Sequence, residues 1–565
     1  VSDTGDLPAR IGSGSVARDD YALGKVPPTW RYRTSEIVLS LTGGATAAIF
    51  LSLPAGLAAS FGIANVLVAI VYAVLVQTLL NVLYVKTASR TGLGSALMSR
   101  GLALGFDGAA WTTLLYWVSW LTYFATEGQI LSSALSAQTG IPVKVSYLLV
   151  GLVFLPLVLY GLQFVAKFQK WTLYAYVVGL AALLVIVLSR ADLSVTREFI
   201  AAHVGSVGGI GLLGAVASYN GLVGNVAFGH ADMGRLLAND HSLVRSGRRG
   251  TLCVALLPYA FGAYVIAGAI GLLLWAASGG DANPGQYMVA IMGVGGFLLI
   301  VITQLRINLI NAYSGSLSLA NFFSRLRFTP GRSVWAVVMV VLGTLAMYLN
   351  VLDHLGTVLA VEGVLLAAWI GVSIADLLLV RGRGGHGPDN GRFIEYRRAM
   401  LRHWNWSGVV PLFAATVVGS FLAVGGLLGH LGGQVTLYLS NWVSFLIAGG
   451  LTWWLGTRAR GRGYAIRPRI AWPREDLVVE CPLDGEVVST DDLFPCPYHK
   501  QWICSQDCMH TKECGDACRS MPEPVLVQIA QLPPRTPGLE AANARLRGKT
   551  RPPQTAARNA DSASE

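Results

Sequence analysis

A chain of 565 residues that is 53% hydrophobic and only 13% charged lacks the polar surface that a soluble protein of this length needs. Its formal charge of +11 is spread over many short loops, which argues against a nucleic-acid-binding face. The composition points to a chain that lives in a membrane.

Residues 1–30 are polar and Gly-rich and lack the apolar stretch of a cleavable signal peptide, so they read as a cytoplasmic N-terminal tail. Residues 31–458 carry twelve apolar blocks, roughly 37–60, 63–85, 108–136, 143–163, 171–189, 206–230, 252–277, 291–320, 333–351, 354–380, 409–430 and 436–457. At about twenty residues, each is long enough to cross roughly 30 Å of hydrocarbon as helix. With the N-terminus inside, the inside loops hold twenty-one Lys and Arg residues, and the outside loops hold only Lys144, Arg190 and Arg197. That bias places both termini in the cytoplasm; the plasma (inner) membrane is the expected location.

The first block reads LSLTGGATAAIFLSLPAG, and Gly43-Gly44 in mid-span predicts a broken helix. In the third block, Tyr116, Trp120, Tyr123 and Glu127 recur at i, i+4, i+7 and i+11, one helical face. Aromatic faces with a hydroxyl and a carboxylate suit a flat heteroaromatic solute. A carboxylate inside a bundle is costly unless paired or solvated, so Glu127 is a functional candidate. The sixth block, GAVASYNGLVGNVAFGHAD, has Tyr219-Asn220-Gly221 and Gly224-Asn225 in mid-span and predicts a second break. Interrupted helices five blocks apart point to two inverted five-helix repeats, followed here by two further helices. Their unwound backbone would offer groups to a solute or ion, the alternative being glycines that only permit close packing.

In the eighth block Gln304, Asn308, Asn311 and Gly315 share a face that must look onto protein or a water-filled cavity. Arg306 lies about 200° around the helix from Gln304 and about 140° from Asn311, so it addresses a different neighbour. Its expected partners are Glu127, Glu362, Asp376 or unwound carbonyls.

Beyond a basic linker at 459–475, residues 476–520 hold Cys481, Cys496, His499, Cys504, Cys508, Cys514 and Cys518, with His510 and Asp484 in reserve. Thiolates and imidazole on a reducing side predict a zinc module, with one site or two left open. Free thiols and an iron–sulfur cluster are the alternatives. Residues 521–565 are rich in Pro, Ala, Arg and Ser and predict disorder.

Three stretches carry a family resemblance: PPTWRYRTSEIVLSLTGG into the first block, HADMGRLL ending the sixth, and RINLINAYSGSLSLANFFSR in the eighth. Over roughly residues 27–458 the chain resembles the nucleobase–cation symporters, the group of purine–cytosine permeases and hydantoin transporters. The resemblance implies solute contacts at Asn311, Tyr123 and Glu127 and at the sixth-block break, where Tyr219, Asn220 and Phe228 stay open. Asn308, on the polar face of the eighth block, and the backbone at Gly43 and Gly44 complete the expected solute site. Glu127 stands where the family has Gln. The family's sodium site, made of first-helix carbonyls near Gly43-Gly44, Ala45 and Ala48 with eighth-helix hydroxyls, aligns those hydroxyls with Leu305 and Arg306. A permanently charged guanidinium could stand where sodium binds.

The expectation is an all-α, twelve-helix transporter that carries a nucleobase or related nitrogen heterocycle by alternating access, between the first, third, sixth and eighth helices. Arg306 would make it sodium-independent, with sodium or proton coupling left open. Two other functions are kept: a transporter-like sensor that signals through the metal module, on which a protein partner could act, and a carrier of a cationic amine paired with Glu127. No motif for covalent catalysis is present, so an enzyme is not expected.

Overall fold

The computed structural model describes residues 21, 23–159, 161–190, 193–239, 242, 248–326, 328, 330–383, 393–511 and 513–550. Residues 1–20 of the N-terminal tail, Arg245, Arg327, Arg392 and residues 551–565 lie outside the described residues. Every apolar block falls on helix, because only helix satisfies its own backbone polar groups in hydrocarbon.

In order, the bundle is α1 (Thr34–Ala45), α2 (Ile49–Phe61), α3 (Ile63–Thr91), α4 (Ser95–Ser99), α5 (Gly105–Thr139), α6 (Val143–Val158), α7 (Gly161–Arg190), α8 (Leu193–Ala202) and α9 (Gly209–Gly234). Then come α10 (Arg248–Leu256), a π-helical stretch (Leu257–Ala267), α11 (Gly268–Ala277), α12 (Pro284–Met292), α13 (Val294–Ser324), α14 (Arg332–Met347), α15 (Leu355–Ile374), α16 (Trp406–Leu427) and α17 (Gln434–Ala459). Among the described residues eight spans are long and apolar enough to cross a membrane, or ten if each of two bent helix pairs is one span. The α13 helix packs on α5, α7 and α14, while α9 packs on α3 and α15.

The predicted break in the first block is present. Helix α1 ends at Gly43-Gly44-Ala45, Thr46 leaves helical geometry at φ −88° and ψ 6°, and α2 restarts at Ile49. The two halves bend by 44°. The predicted break in the sixth block is not: α9 runs unbroken from Gly209 to Gly234. Its glycines serve contact instead. A Cβ at Gly221 would stand 2.3 Å from the Leu359 carbonyl oxygen, and one at Gly224 would stand 2.8 Å from Leu366 Cβ. Helix α15 thus lies almost on the α9 backbone, as small residues permit in membrane helices.

The tail folds on the end of the bundle that carries the N-terminal segment. Strands β1 (Val478–Glu480) and β2 (Val487–Ser489) pair antiparallel, as do β3 (Phe494–Cys496) and β4 (Gln501–Ile503). Helices α18 (Ser505–His510), α19 (Glu523–Ile529) and α20 (Pro537–Thr550) complete it. Trp502, Ile503, Leu493 and Phe494 form its core. The disorder predicted from residue 521 does not hold over α19 and α20. Leu526 joins that core, and Leu539 and Leu546 close over Val478 and Val487. Asn543 pins α20 to β1 by accepting from the Leu477 and Val478 N–H groups at 2.8 and 3.0 Å and donating to Val478 O at 2.9 Å.

Candidate functional site

The break between α1 and α2 brings two buried charged side chains together around one gap in the backbone. On the α2 side, Glu127 of α5 is 1% exposed. Its Oε1 accepts from the Ile49 N–H at 3.2 Å, with the Ala48 N–H and Gln304 beside it. On the α1 side, Arg306 of α13 is fully buried. Its Nε donates to Thr46 Oγ1 at 3.1 Å and its Nη1 to Thr172 Oγ1 on α7 at 2.6 Å. The Thr46 hydroxyl in turn donates to Gly43 O at 2.7 Å. A helix end that exposes carbonyls attracts a cation, and one that exposes N–H groups attracts an anion. Each end of the break therefore faces the charge its dipole favours. The two faces read on the eighth block separate as the rotation requires: Gln304 and Asn308 meet α5, whereas Arg306 meets α1 and α7. Of the acidic partners expected for Arg306, Asp376 is taken by Arg381 at 2.8 Å and Glu127 by the start of α2.

The remaining expected solute residues spread over three environments. Asn308 donates to Phe124 O at 3.4 Å and accepts from Asn311 Nδ2 at 2.9 Å. Asn311 Oδ1 is buried without a hydrogen-bond partner. Tyr123 reaches Gly221 O at 3.5 Å and stacks edge-on with Trp120, ring centroids 6.3 Å apart. Tyr219 meets Tyr264 edge-on at 5.8 Å, and its hydroxyl is likewise unpartnered. Asn220 points elsewhere, accepting from Tyr72 of α3 at 2.7 Å. Gly43 and Gly44 are both buried. Gly44 is a contact glycine, since a Cβ there would run into the Tyr259 hydroxyl at 1.8 Å.

Tyr259 and Tyr264 escaped the sequence reading. Both lie in the π-helical stretch and meet Phe50 edge-on at 5.6 and 5.7 Å. Pro258, which cannot donate a helix hydrogen bond, was the available signal. Thr46 and Thr172, the hydroxyls that hold Arg306, were missed as well.

A vestibule of about 1210 Å³ opens at the end of the bundle opposite the tail. Ser52 and Ser218 lie along it, and Asp281, Asp353 and His354 stand among its lining loops. Ser52 is about one helical turn beyond Ile49, and Ser218 precedes Tyr219, so the vestibule comes down to the break. The other end is closed. Val26 N–H donates to Gly92 O at 3.0 Å, Arg31 donates to Ser89 O at 2.8 Å and to Leu237 O at 3.1 Å, and Tyr32 N–H donates to Leu236 O at 2.8 Å. The 29 residues of α3 separate the two ends by about 44 Å.

The seven expected tail ligands do not form one set. Cys481 and Cys504 converge with Asp484 and Asp507, and their ligand atoms all lie within 4.8 Å of one another. Cys496, Cys508, Cys514 and Cys518 line a separate cavity of about 20 Å³. His499 Nε2 hydrogen-bonds Thr511 Oγ1 at 3.0 Å. Asp507, which the sequence reading passed over, completes a second C-x2-D to match Cys481 and Asp484.

Among solved structures, the chain is similar to Mhp1 in its inward-facing conformation, with TM-score 0.56 and 18% identity over 77% of this chain and 94% of that one. It is similar to Mhp1, a nucleobase–cation symport family transporter, in a closed conformation with bromovinylhydantoin bound, at TM-score 0.55 and 16% identity over 78% and 98%. A Na⁺-coupled sialic acid symporter in its substrate-bound outward-open state matches at TM-score 0.55 and 13% identity over 81% and 94%. These likenesses show the fold, an all-α membrane fold shared with transporters. No family model and no curated protein matches the chain.

Proposed function

We propose that the protein is a secondary transporter that binds a nucleobase or related nitrogen heterocycle beside the α1–α2 break and carries it by alternating access. The observation that carries this reading is the break itself, flanked by Glu127 at the start of α2 and Arg306 at the end of α1. Unwound backbone inside a membrane bundle is kept where it lines a binding site. Tyr219, whose hydroxyl is unpartnered, meets Tyr264 edge-on, and Asn311 Oδ1 is a second orphan acceptor; ring edges and free hydrogen-bonding groups of this kind suit a flat polar ring. The shared fold with a hydantoin-binding transporter supports the same class of solute. Arg306 occupies the place of a coupling cation, so binding is sodium-independent, and Glu127 is the group through which protons could couple. The tail and both termini are cytoplasmic, and the vestibule opens outward.

Uptake of radiolabelled purines, pyrimidines, hydantoins, allantoin and amines into proteoliposomes tests this reading. Accumulation of a heterocycle with sodium replaced by choline is the expected result. Binding without uptake would favour a sensor, and uptake of amines alone a cation carrier.

A further inference from the structure

The tail contains a pocket built from two copies of one short pattern. Cys481-Pro-Leu-Asp484 turns between β1 and β2, and Cys504-Ser-Gln-Asp507 turns from β4 into α18. In the first turn Gly485 takes φ +73° and its N–H donates to Cys481 O at 2.9 Å, which folds Asp484 back beside Cys481. In the second, the Asp507 N–H donates to Cys504 Sγ at 3.3 Å, so the sulfur and the Asp507 carboxyl share one side of the turn. The turns are stitched to each other. The Cys504 N–H donates to Cys481 Sγ at 3.4 Å, and Asp507 Oδ2 lies 2.9 Å from Cys481 Sγ and 3.4 Å from Cys504 Sγ. Asp484 Oδ2 lies 4.0 Å from Cys504 Sγ. Both cysteines are buried and both aspartates partly so.

We propose that Cys481, Asp484, Cys504 and Asp507 form a four-ligand site for a divalent zinc-class ion, distinct from the cavity lined by the other four tail thiols. Two carboxyls and two thiols facing one point within 4.8 Å gain little from each other, whereas a shared cation satisfies all four. Backbone N–H groups already aim at both sulfurs, the outer-shell arrangement that favours a thiolate ligand. The donor set selects the ion. Two thiolates with two carboxylates suit tetrahedral Zn²⁺. Sulfur disfavours Ca²⁺ and Mg²⁺, and two cysteines fall short of the four that hold an iron–sulfur cluster.

The position gives the ion a structural role. The hydroxyl of Ser505, next after Cys504, donates to Asp492 Oδ1 at 2.5 Å and lies 3.2 Å from Leu23 O. Asp492 also accepts from Tyr396 of the loop before α16. An ion fixing Cys504 therefore fixes the turn through which the tail grips both the N-terminal segment and that loop.

The test uses the full chain, purified in detergent under reductant, loaded with zinc and desalted. The wild type should retain about one equivalent more zinc per chain than Asp484→Asn/Asp507→Asn, because carboxamides are far weaker ligands of similar size. Loaded with Co²⁺ instead, the wild type should show thiolate-to-cobalt absorption that weakens in Cys481→Ser/Cys504→Ser. If the cysteine variant does not fold, the asparagine variant decides. Equal zinc content and affinity in wild type and asparagine variant would overturn the proposal. So would zinc lost from Cys514→Ser/Cys518→Ser but not from the asparagine variant.

Discussion

At the scale of single residues, the break poses an electrostatic problem and its flanking side chains answer it. Glu127 and Asn311 each lie buried with an oxygen that has no hydrogen-bond partner, and a solute donor would complete both. Replacing either with Ala should weaken solute binding by about 1–3 kcal/mol, the cost of stranding a buried partner. Isothermal titration of the purified variants measures this, and unchanged affinity in both would remove them from the solute site. Arg306 raises a different expectation. Its guanidinium spans Thr46 at the end of α1 and Thr172 on α7, so Arg306→Ala should lose solute binding while membrane insertion survives. Leu305→Ser with Arg306→Thr puts hydroxyls where the resembling family ligates sodium, and should restore binding only with sodium present. Wild-type affinity should be the same in sodium and in choline at fixed pH and ionic strength. A large loss in choline would mean that Arg306 holds two helices together and nothing more.

At the scale of elements, glycine shows how far the sequence could be read. Gly43-Gly44 and Gly221-Leu222-Val223-Gly224 carry the same local signal, an apolar helix weakened in mid-span. One breaks and the other does not: Gly221 instead seats helix α15 closely on the unbroken α9. That contact comes from residues some 140 positions away and leaves no local trace. Gly221→Ala should therefore destabilise the bundle by about 1–3 kcal/mol, since the atom in the way is backbone and cannot swing aside. Gly229→Ala, whose nearest neighbour would be 3.6 Å away, should be neutral, and thermal unfolding in detergent compares them. The tail was legible to a similar depth. Its cysteines raised the expectation of a metal site, but thiol counting drew attention away from Asp507, which shares a cluster with Cys481, Asp484 and Cys504, and the apolar residues of α19 and α20 were too sparse to reveal partners on β1 and β3. Docking of the tail adds an ionic element. Lys25 and Arg469 both pair with Asp491 and hold its carboxyl well below the usual carboxylate range. Such a group stabilises the docked state above its unfolded value, near 4, and loses that contribution only as pH falls through the depressed one. The Asp491 side chain is 40% exposed, so screening keeps the effect modest. Protection of residues 21–33 against proteolysis should be unchanged from pH 8 to pH 5, and reduced at every pH in Asp491→Asn.

At the scale of the molecule, the two ends of the bundle are in opposite states. One opens a vestibule down to Ser52 and Ser218. The other is shut by a strap, residues 21 and 23–33, that bonds the ends of α3 and α9 and is itself held by the tail. Tyr21 donates to Val487 O at 3.0 Å, and Lys25 pairs with Asp491 at 2.9 Å. A second hold falls on the loop before α16, where Arg397 donates to Leu493 O at 2.7 Å and Arg398 pairs with Asp516 at 2.7 Å. In an alternating-access protein, contacts made in one state and broken in the other shift the balance between them by their differential free energy. Truncation after Gly463 removes the tail contacts to the strap and the loop, and with them Tyr464, which packs in the bundle's core and donates to Asp376. The truncated protein should still insert and bind solute, but its strap-bearing end should open more often. Ser40, buried on α1 between the break and that end, is the reporter. In Ser40→Cys, labelling of residue 40 by a water-soluble maleimide, read by peptide mass spectrometry, should be several-fold faster in the truncated chain than in the full one. Labelling of Gly356→Cys at the vestibule should slow in step. Equal rates at both positions in the two chains would mean that the tail rests on the bundle without biasing which end opens.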